Sequence, residues 1–393
     1  MDNNELDKYH IGVLDGLRAM ALLFIVWFHF WQQSWILAGQ FDWIPRYGYL
    51  FVDMMILLSG FCLFLPYARK MVYGEDVDSK GEFYKKRIAR IMPSYYISIL
   101  IVLFLFALPK GEYHSGLEFA KDFFTHIFFI HNLFPDVLAN THLNGVLWTV
   151  ALEVQFYIFF PFIAKAFTKK PILTYIAMIL VGLVSCITIS INFENLNQLM
   201  FVNHPLTFVL VFANGMLGAW IYMRYTKYIK HLKHPKLLSI IFTILAILCI
   251  FAYRFFCTTI SEEHLRKMQI DYRFILSILF LIFILSTSLS VKFFRKIFDN
   301  KLAKFLSTIS FNLYIWHQFI AVCLKEYKIP FWEGDVPPNM SGNTVWQWKY
   351  FILCIIISFA VSCFMTFAVE KPIAKKIKSL EIGKLKNKRS NLC

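Results

Sequence analysis

The sequence predicts an all-α, polytopic membrane protein of about ten transmembrane helices with both termini in the cytoplasm, on three observations. Hydrophobic residues make up 58% of the 393 and charged residues only 17%, too little polar surface for an ordinary soluble domain. Apolar runs of about 20 residues, the length that crosses a bilayer as a helix, recur along nearly the whole chain. Most of the forty Lys and Arg residues fall on alternate connecting segments, the bias that marks cytoplasmic loops.

The runs cover 11–31, 47–68, 93–109, 146–164, 171–191, 205–223, 237–256, 273–290, 305–324 and 349–369. The first is too long, and its flank too poor in basic and small cleavage-site residues, for a removed signal peptide. Alternation from an inner N-terminus places the basic clusters inside; Arg254, Arg273 and Lys349 are left at outer helix ends, and Arg18 alone well inside a helix. One segment, 118–133, is apolar through Phe123, Phe124, Ile127, Phe128, Phe129 and Ile130 but carries Lys121, Asp122, His126 and His131. A full crossing there would invert everything after it. The sequence therefore predicts a re-entrant or interfacial helix on the outer side. Residues 1–370 form one transmembrane domain and 371–393, with eight basic residues, a cytoplasmic tail.

The net charge of +15 follows from basic inner loops beside anionic lipid and requires no nucleic acid. The eight cysteines contain no CxxC pair and lie mostly within apolar runs, so neither a disulfide framework nor a zinc site is legible. His126, His131 and His142 are spaced unlike any familiar ligand set, and no metal is expected. Trp31, Trp35, Trp43, Trp346 and Trp348 fall where interfacial belts sit.

Ionisable residues inside spans are costly, which makes them functional candidates. They are Asp15, Arg18 and His29 in the first helix, Asp53 in the second, Glu153 in the fourth and His317 in the ninth. Arg18 and His29 share one helix face about 16 Å apart along the axis, and Asp15 is placed to pair with Arg18. A snorkelling Arg with an interfacial His is the plainer account of the same pair. Asp53, Glu153 and His317 share the outer depth zone of His29, with Tyr314 on the face of His317. Glu153 and His317 either build an acceptor chamber there or satisfy each other in the bundle.

Five pieces in order resemble one family. Leu14-Asp15-Gly16-Leu17-Arg18-Ala19 followed by His29 is similar to the opening helix of the acyltransferase 3 family. Val52-Asp53 through Leu58-Ser59-Gly60-Phe61 resembles its second helix, and Arg87-Ile88-Ala89-Arg90-Ile91-Met92-Pro93 the entry to its third. Leu147-Trp148-Thr149 with Glu153, Gln155-Phe156-Tyr157 and Pro161 resembles the fourth, and Ser310, Tyr314, Trp316 and His317 a later block. Where many members carry two successive Glu, this chain has Glu153 and Val154. The resemblance covers the membrane domain only, without a fused extracytoplasmic hydrolase-like domain.

The resemblance implies an O-acyltransferase that moves an acyl group, usually acetyl, from cytoplasmic acyl-CoA, a co-substrate, to a hydroxyl of an extracytoplasmic or lipid-linked glycan. Arg87 and Arg90, at i and i+3, would grip the CoA phosphates with Lys85 and Lys86 nearby; ordinary positive-inside decoration would look the same. Arg18 would steady the donor arm in a tunnel leading to His29. His29 acts either as general base or as a covalent acyl carrier, Glu153 orients it or a sugar hydroxyl, and Asp53, Tyr314 and His317 bind the acceptor. The implied partners are a glycan or glycolipid, membrane lipids, and either a second copy or an extracytoplasmic protein; the implied location is the cytoplasmic membrane. The competing class is a transporter or flippase, whose inverted repeats and broken helices the sequence does not display.

Overall fold

The computed structural model describes residues 11–231, 234–259 and 265–377. Of the expected basic tail, 371–377 extends the last helix and 378–393 lies outside the described residues. The long helices are α1 (Gly12–Ser34), α2 (Phe51–Tyr73), α3 (Lys80–Val102), a short α4 (Gly116–Ile127), α5 (Trp148–Lys169), α6 (Pro171–Ile191), α7 (Pro205–Tyr228), α8 (Pro235–Thr259), α9 (Leu265–Leu289), α10 (Lys301–Glu326) and α11 (Thr344–Phe364). No strand occurs among the described residues.

Nine helices among the described residues are long and apolar enough to cross a membrane. The expected span at 305–324 is a continuous helix, α10, but is not among the nine. Its polar residues explain why. Ser310, Asn312, Tyr314 and His317 are buried against neighbouring helices, α10 packing mainly between α1 and α11. A helix shielded from lipid on its polar side does not need to be apolar all round. The lipid-facing extreme is α6 and α8, whose Leu173, Val184, Ile244, Phe251 and Phe255 are exposed.

The most extensive helix pairing among the described residues is α2 with α7. A Cβ on Gly60 would run into the Phe212 carbonyl, and one on Gly215 into the Leu57 carbonyl. Small residues are what let two backbones approach this closely in a membrane, where packing rather than water expulsion drives association.

The segment at 118–133 forms a short helix, α4, followed by a 3-10 turn, and is not among the helices long enough to cross a membrane. The helix α4, with 12 residues, is too short to cross and is inside-out in polarity. Leu117, Phe124 and Phe128 are exposed, while Asp122, His126 and His131 are buried. Asp122 gathers this segment, accepting from Tyr113 Oη at 3.0 Å, Thr141 Oγ1 at 2.9 Å and the His142 amide at 3.1 Å, with His126 Nδ1 at 3.1 Å. Burial opposes its charge, but the bonds from His126, Thr141 and Tyr113 hold its carboxyl below the usual carboxylate range. His126 and His131 stack with ring centroids 3.8 Å apart. Burial, and then the neighbouring His126, hold the His131 imidazole well below the ordinary histidine value.

Two outcomes follow from this packing. Gly215→Leu should destabilise the folded protein by about 1–3 kcal/mol, read as a lower melting temperature in detergent; an unchanged melting temperature would refute the close α2–α7 approach. The folded chain resists a proton that unfolded His131 takes up, so this contribution to stability is full above about pH 6.5 and falls as pH drops below it. Hydrogen exchange across 111–147, corrected for intrinsic rate, should rise on acidification to about pH 5.5, and His131→Phe should flatten that rise. The same rise in the variant would remove His131 as its cause.

Candidate active site

The polar residues of α1, α2, α3, α5 and α10 gather into two cavities that lie end to end along α1. The first, about 290 Å³, is lined by Asp15 and Arg18 of α1, Ser59 and Cys62 of α2, Arg87 and Arg90 of α3, Glu153 and Tyr157 of α5, and Ser310 and Tyr314 of α10. Three guanidinium groups against two carboxylates make it an anion-receiving space. Arg18 Nη2 reaches Cys62 Sγ at 3.4 Å, and Asp15 accepts from Ser307 Oγ at 3.3 Å. Arg87 lies over the rings of Phe83 and Tyr157, 5.6 and 5.8 Å from their centroids. Lys85 and Lys86 do not line it; they pair with Glu82 and Asp78 at the surface.

Below α3, the π-helical turn Met365–Glu370 that continues α11 carries Glu370 toward the same region. Glu370 Oε2 accepts from Asn312 Nδ2 at 2.6 Å and from Ser94 Oγ at 3.4 Å. Ser94 lies one turn beyond Arg90 on α3.

The second cavity, about 270 Å³, is lined by His29, Gln32, Tyr49, Asp53, Trp148, Asn203, Arg266, Gln269 and Arg273 among others. Carboxylate, amides and aromatic faces together can hydrogen-bond and stack on a polyhydroxylated ring. Arg273 and Asp53 form a fully buried ion pair, Nε to Oδ1 at 3.2 Å. Arg273 Nη1 also donates to the Val202 carbonyl at 2.7 Å and to Thr207 Oγ1 at 2.6 Å, and its guanidinium lies 4.0 Å from the Phe208 ring centroid. Sequence reasoning left Arg273 at an outer helix end. The structure corrects this: Arg273 is an interior partner of Asp53, found only once α9 is packed against α2.

His29 is oriented by His317. His317 Nδ1 lies 2.7 Å from the Tyr314 carbonyl and 3.0 Å from the Leu313 carbonyl. A carbonyl only accepts, so Nδ1 of His317 carries the hydrogen, and in a neutral ring Nε2 is then an acceptor. That Nε2 lies 2.8 Å from His29 Nδ1. His29 therefore donates from Nδ1, which leaves the ring's lone pair on Nε2; the ring also hydrogen-bonds the backbone of Ile25. The backbone of α10 thus fixes the tautomer of a residue on α1.

Glu153 is not in this group. Its carboxylate accepts from Ser59 Oγ at 2.7 Å and Tyr157 Oη at 3.1 Å and lies in the cavity of Arg18. The reading in which Glu153 orients His29, and the one in which it satisfies His317, both give way to this placement. The residues of the expected tunnel from Arg18 to His29 line two adjoining cavities that share Ile25, Val52 and Tyr314. Tyr314 thus touches both spaces.

Among the described residues no group of three His, Cys, Asp or Glu side chains could hold a metal, and the cysteines there are free. His142 Nε2 lies 3.2 Å from Glu118 Oε1. Trp346, expected in a belt, is buried and donates Nε1–H to the Pro330 carbonyl at 2.9 Å.

Comparison with known proteins places this arrangement. Residues 11–367 match the family described as acyltransferase domain. The chain is 24% identical over 383 residues to a putative peptidoglycan O-acetyltransferase, YrhL, of Bacillus subtilis (strain 168), covering 93% of this chain and 55% of that protein. It is 23% identical over 331 residues to the peptidoglycan O-acetyltransferase OatA of Listeria monocytogenes serovar 1/2a, covering 79% and 49%. It is 25% identical over 343 residues to a putative O-acetyltransferase of Staphylococcus aureus (strain COL), covering 84% and 53%. The chain spans about half the length of the curated relatives it matches. No solved structure matches it. With a family match over residues 11–367 and a helical bundle that carries its polar residues inward, the chain is a multi-pass membrane protein of the acyltransferase domain family.

Proposed function

We propose that this chain is a membrane O-acyltransferase that moves an acyl group, acetyl foremost, from cytoplasmic acyl-CoA to a hydroxyl of a glycan or glycolipid across the cytoplasmic membrane. The observation that carries the reading is the pair of end-to-end cavities, one lined by three arginines and the other by His29, whose Nδ1 is engaged by His317. Arg87, Arg90 and Arg18 suit an anionic, phosphate-bearing donor, and the basic segments that flank α3 suit a cytoplasmic mouth. The donor, when bound, supplies an activated thioester carbonyl. Asp53, Tyr314 and the amides and aromatics of the other cavity position the acceptor. His29 Nε2 takes the proton from the acceptor hydroxyl while that oxygen forms the new ester bond and the carbon–sulfur bond breaks; the proton then returns to the departing thiolate. His317, hydrogen-bonded to the α10 backbone, holds His29 in the tautomer this requires. The relatives named peptidoglycan O-acetyltransferases make a cell-wall glycan the first acceptor to assay.

In purified protein, His29→Ala should lower acceptor-dependent CoA release about 10²- to 10⁴-fold while CoA binding stays near wild type. Full turnover by that variant would overturn the mechanism, and acceptor movement without any CoA dependence would favour a transporter.

A further inference from the structure

Three side chains line both cavities: Ile25, Val52 and Tyr314. They come from three helices and make up the lining layer that the two adjoining cavities share. Ile25 lies one turn before His29 on α1, Tyr314 one turn before His317 on α10, and Val52 beside Asp53 at the start of α2. On one side of the layer stand Arg18, Ser59 and Glu153, on the other His29 and Asp53. Between these polar groups the layer presents two aliphatic side chains and an aromatic ring.

The layer is held in place. Ile25 and Tyr314 are buried. Tyr314 is tied at both ends, its carbonyl accepting from His317 Nδ1 at 2.7 Å and its hydroxyl hydrogen-bonded to Thr149. The ring cannot swing aside without losing the Thr149 bond, and its backbone cannot shift without disturbing the imidazole pair. Packed interiors give way little, so added volume at such a place is felt methylene by methylene.

We propose that Ile25, Val52 and Tyr314 are the acyl-specificity wall, the layer in which the acyl stub lodges when its carbonyl carbon reaches His29, and that they admit an acetyl methyl while rejecting longer chains. The proposal rests on the reading of the Arg18 cavity as the donor site. Val52 and Ile25 set the length limit by bulk, and Tyr314 sets it by being unable to move. Discrimination by an apolar wall of this kind amounts to about 10- to 200-fold per methylene.

The test is binding of non-reactive thioether analogues of acetyl-, butyryl- and hexanoyl-CoA to the full chain in nanodiscs by calorimetry, with unacylated CoA as control. Wild type should bind the butyryl analogue at least about tenfold more weakly than the acetyl one. Val52→Ala and Ile25→Val should each narrow that gap and shift the ratio of CoA release from butyryl- over acetyl-CoA in the same direction. Equal affinity for all three analogues, or an unchanged gap in both variants while CoA still binds, would overturn the wall and leave the donor site standing. Absence of CoA binding to wild type would overturn both.

Discussion

The hydrogen bond between His29 Nδ1 and His317 Nε2, 2.8 Å long, is the polar contact on which the arrangement of the site depends. It joins the first long helix to α10, and its direction follows from the carbonyls of Leu313 and Tyr314, which fix which nitrogen of His317 carries hydrogen. A single neutral imidazole in an apolar bundle has no preferred tautomer. Two in series, anchored to a helix backbone, have one, and it leaves the Nε2 lone pair on the residue that lines the second cavity. The helix that carries this anchor, α10, also buries Ser310 and Asn312 against its neighbours.

Charge is distributed by the same logic. A charge buried in a bilayer bundle is tolerated when it is paired or when it lines a polar space. Asp53 and Arg273 satisfy the first condition, with Thr207 and the Val202 carbonyl taking up further guanidinium hydrogens. Arg18, Arg87 and Arg90 satisfy the second, with Glu153 held between Ser59 and Tyr157 in the same space. Removing one partner leaves a stranded charge, which is why the cavities and the helix packing cannot be adjusted independently.

Much of the architecture was legible from periodicity and length alone, because a bilayer allows few solutions to backbone hydrogen bonding. The inside-out helix at Gly116–Ile127 was readable for the same reason: Asp122 and His126 interrupt a run too short to span. The site was legible in its members and not in its partnerships. Arg18 and His29 share a face of one helix, which spacing reveals; that His317 rather than Glu153 orients His29 depends on how α5 and α10 rotate about their axes, and one sequence holds no record of that. Arg273 was missed altogether, since a basic residue near a helix end is ordinary until Asp53 is seen beside it. Tyr314 was named for its face on α10, but its position between two cavities is a property of packing.

The central claim is that donor and acceptor reach one imidazole from opposite sides of the membrane. It is tested most directly in sealed vesicles of known orientation, with the native cysteines replaced, by introducing Arg87→Cys or Gln32→Cys and applying a membrane-impermeant thiol reagent to one face at a time. The account predicts that the Arg87→Cys protein reacts only from the cytoplasmic face and the Gln32→Cys protein only from the other. Reaction of both from a single face would contradict it.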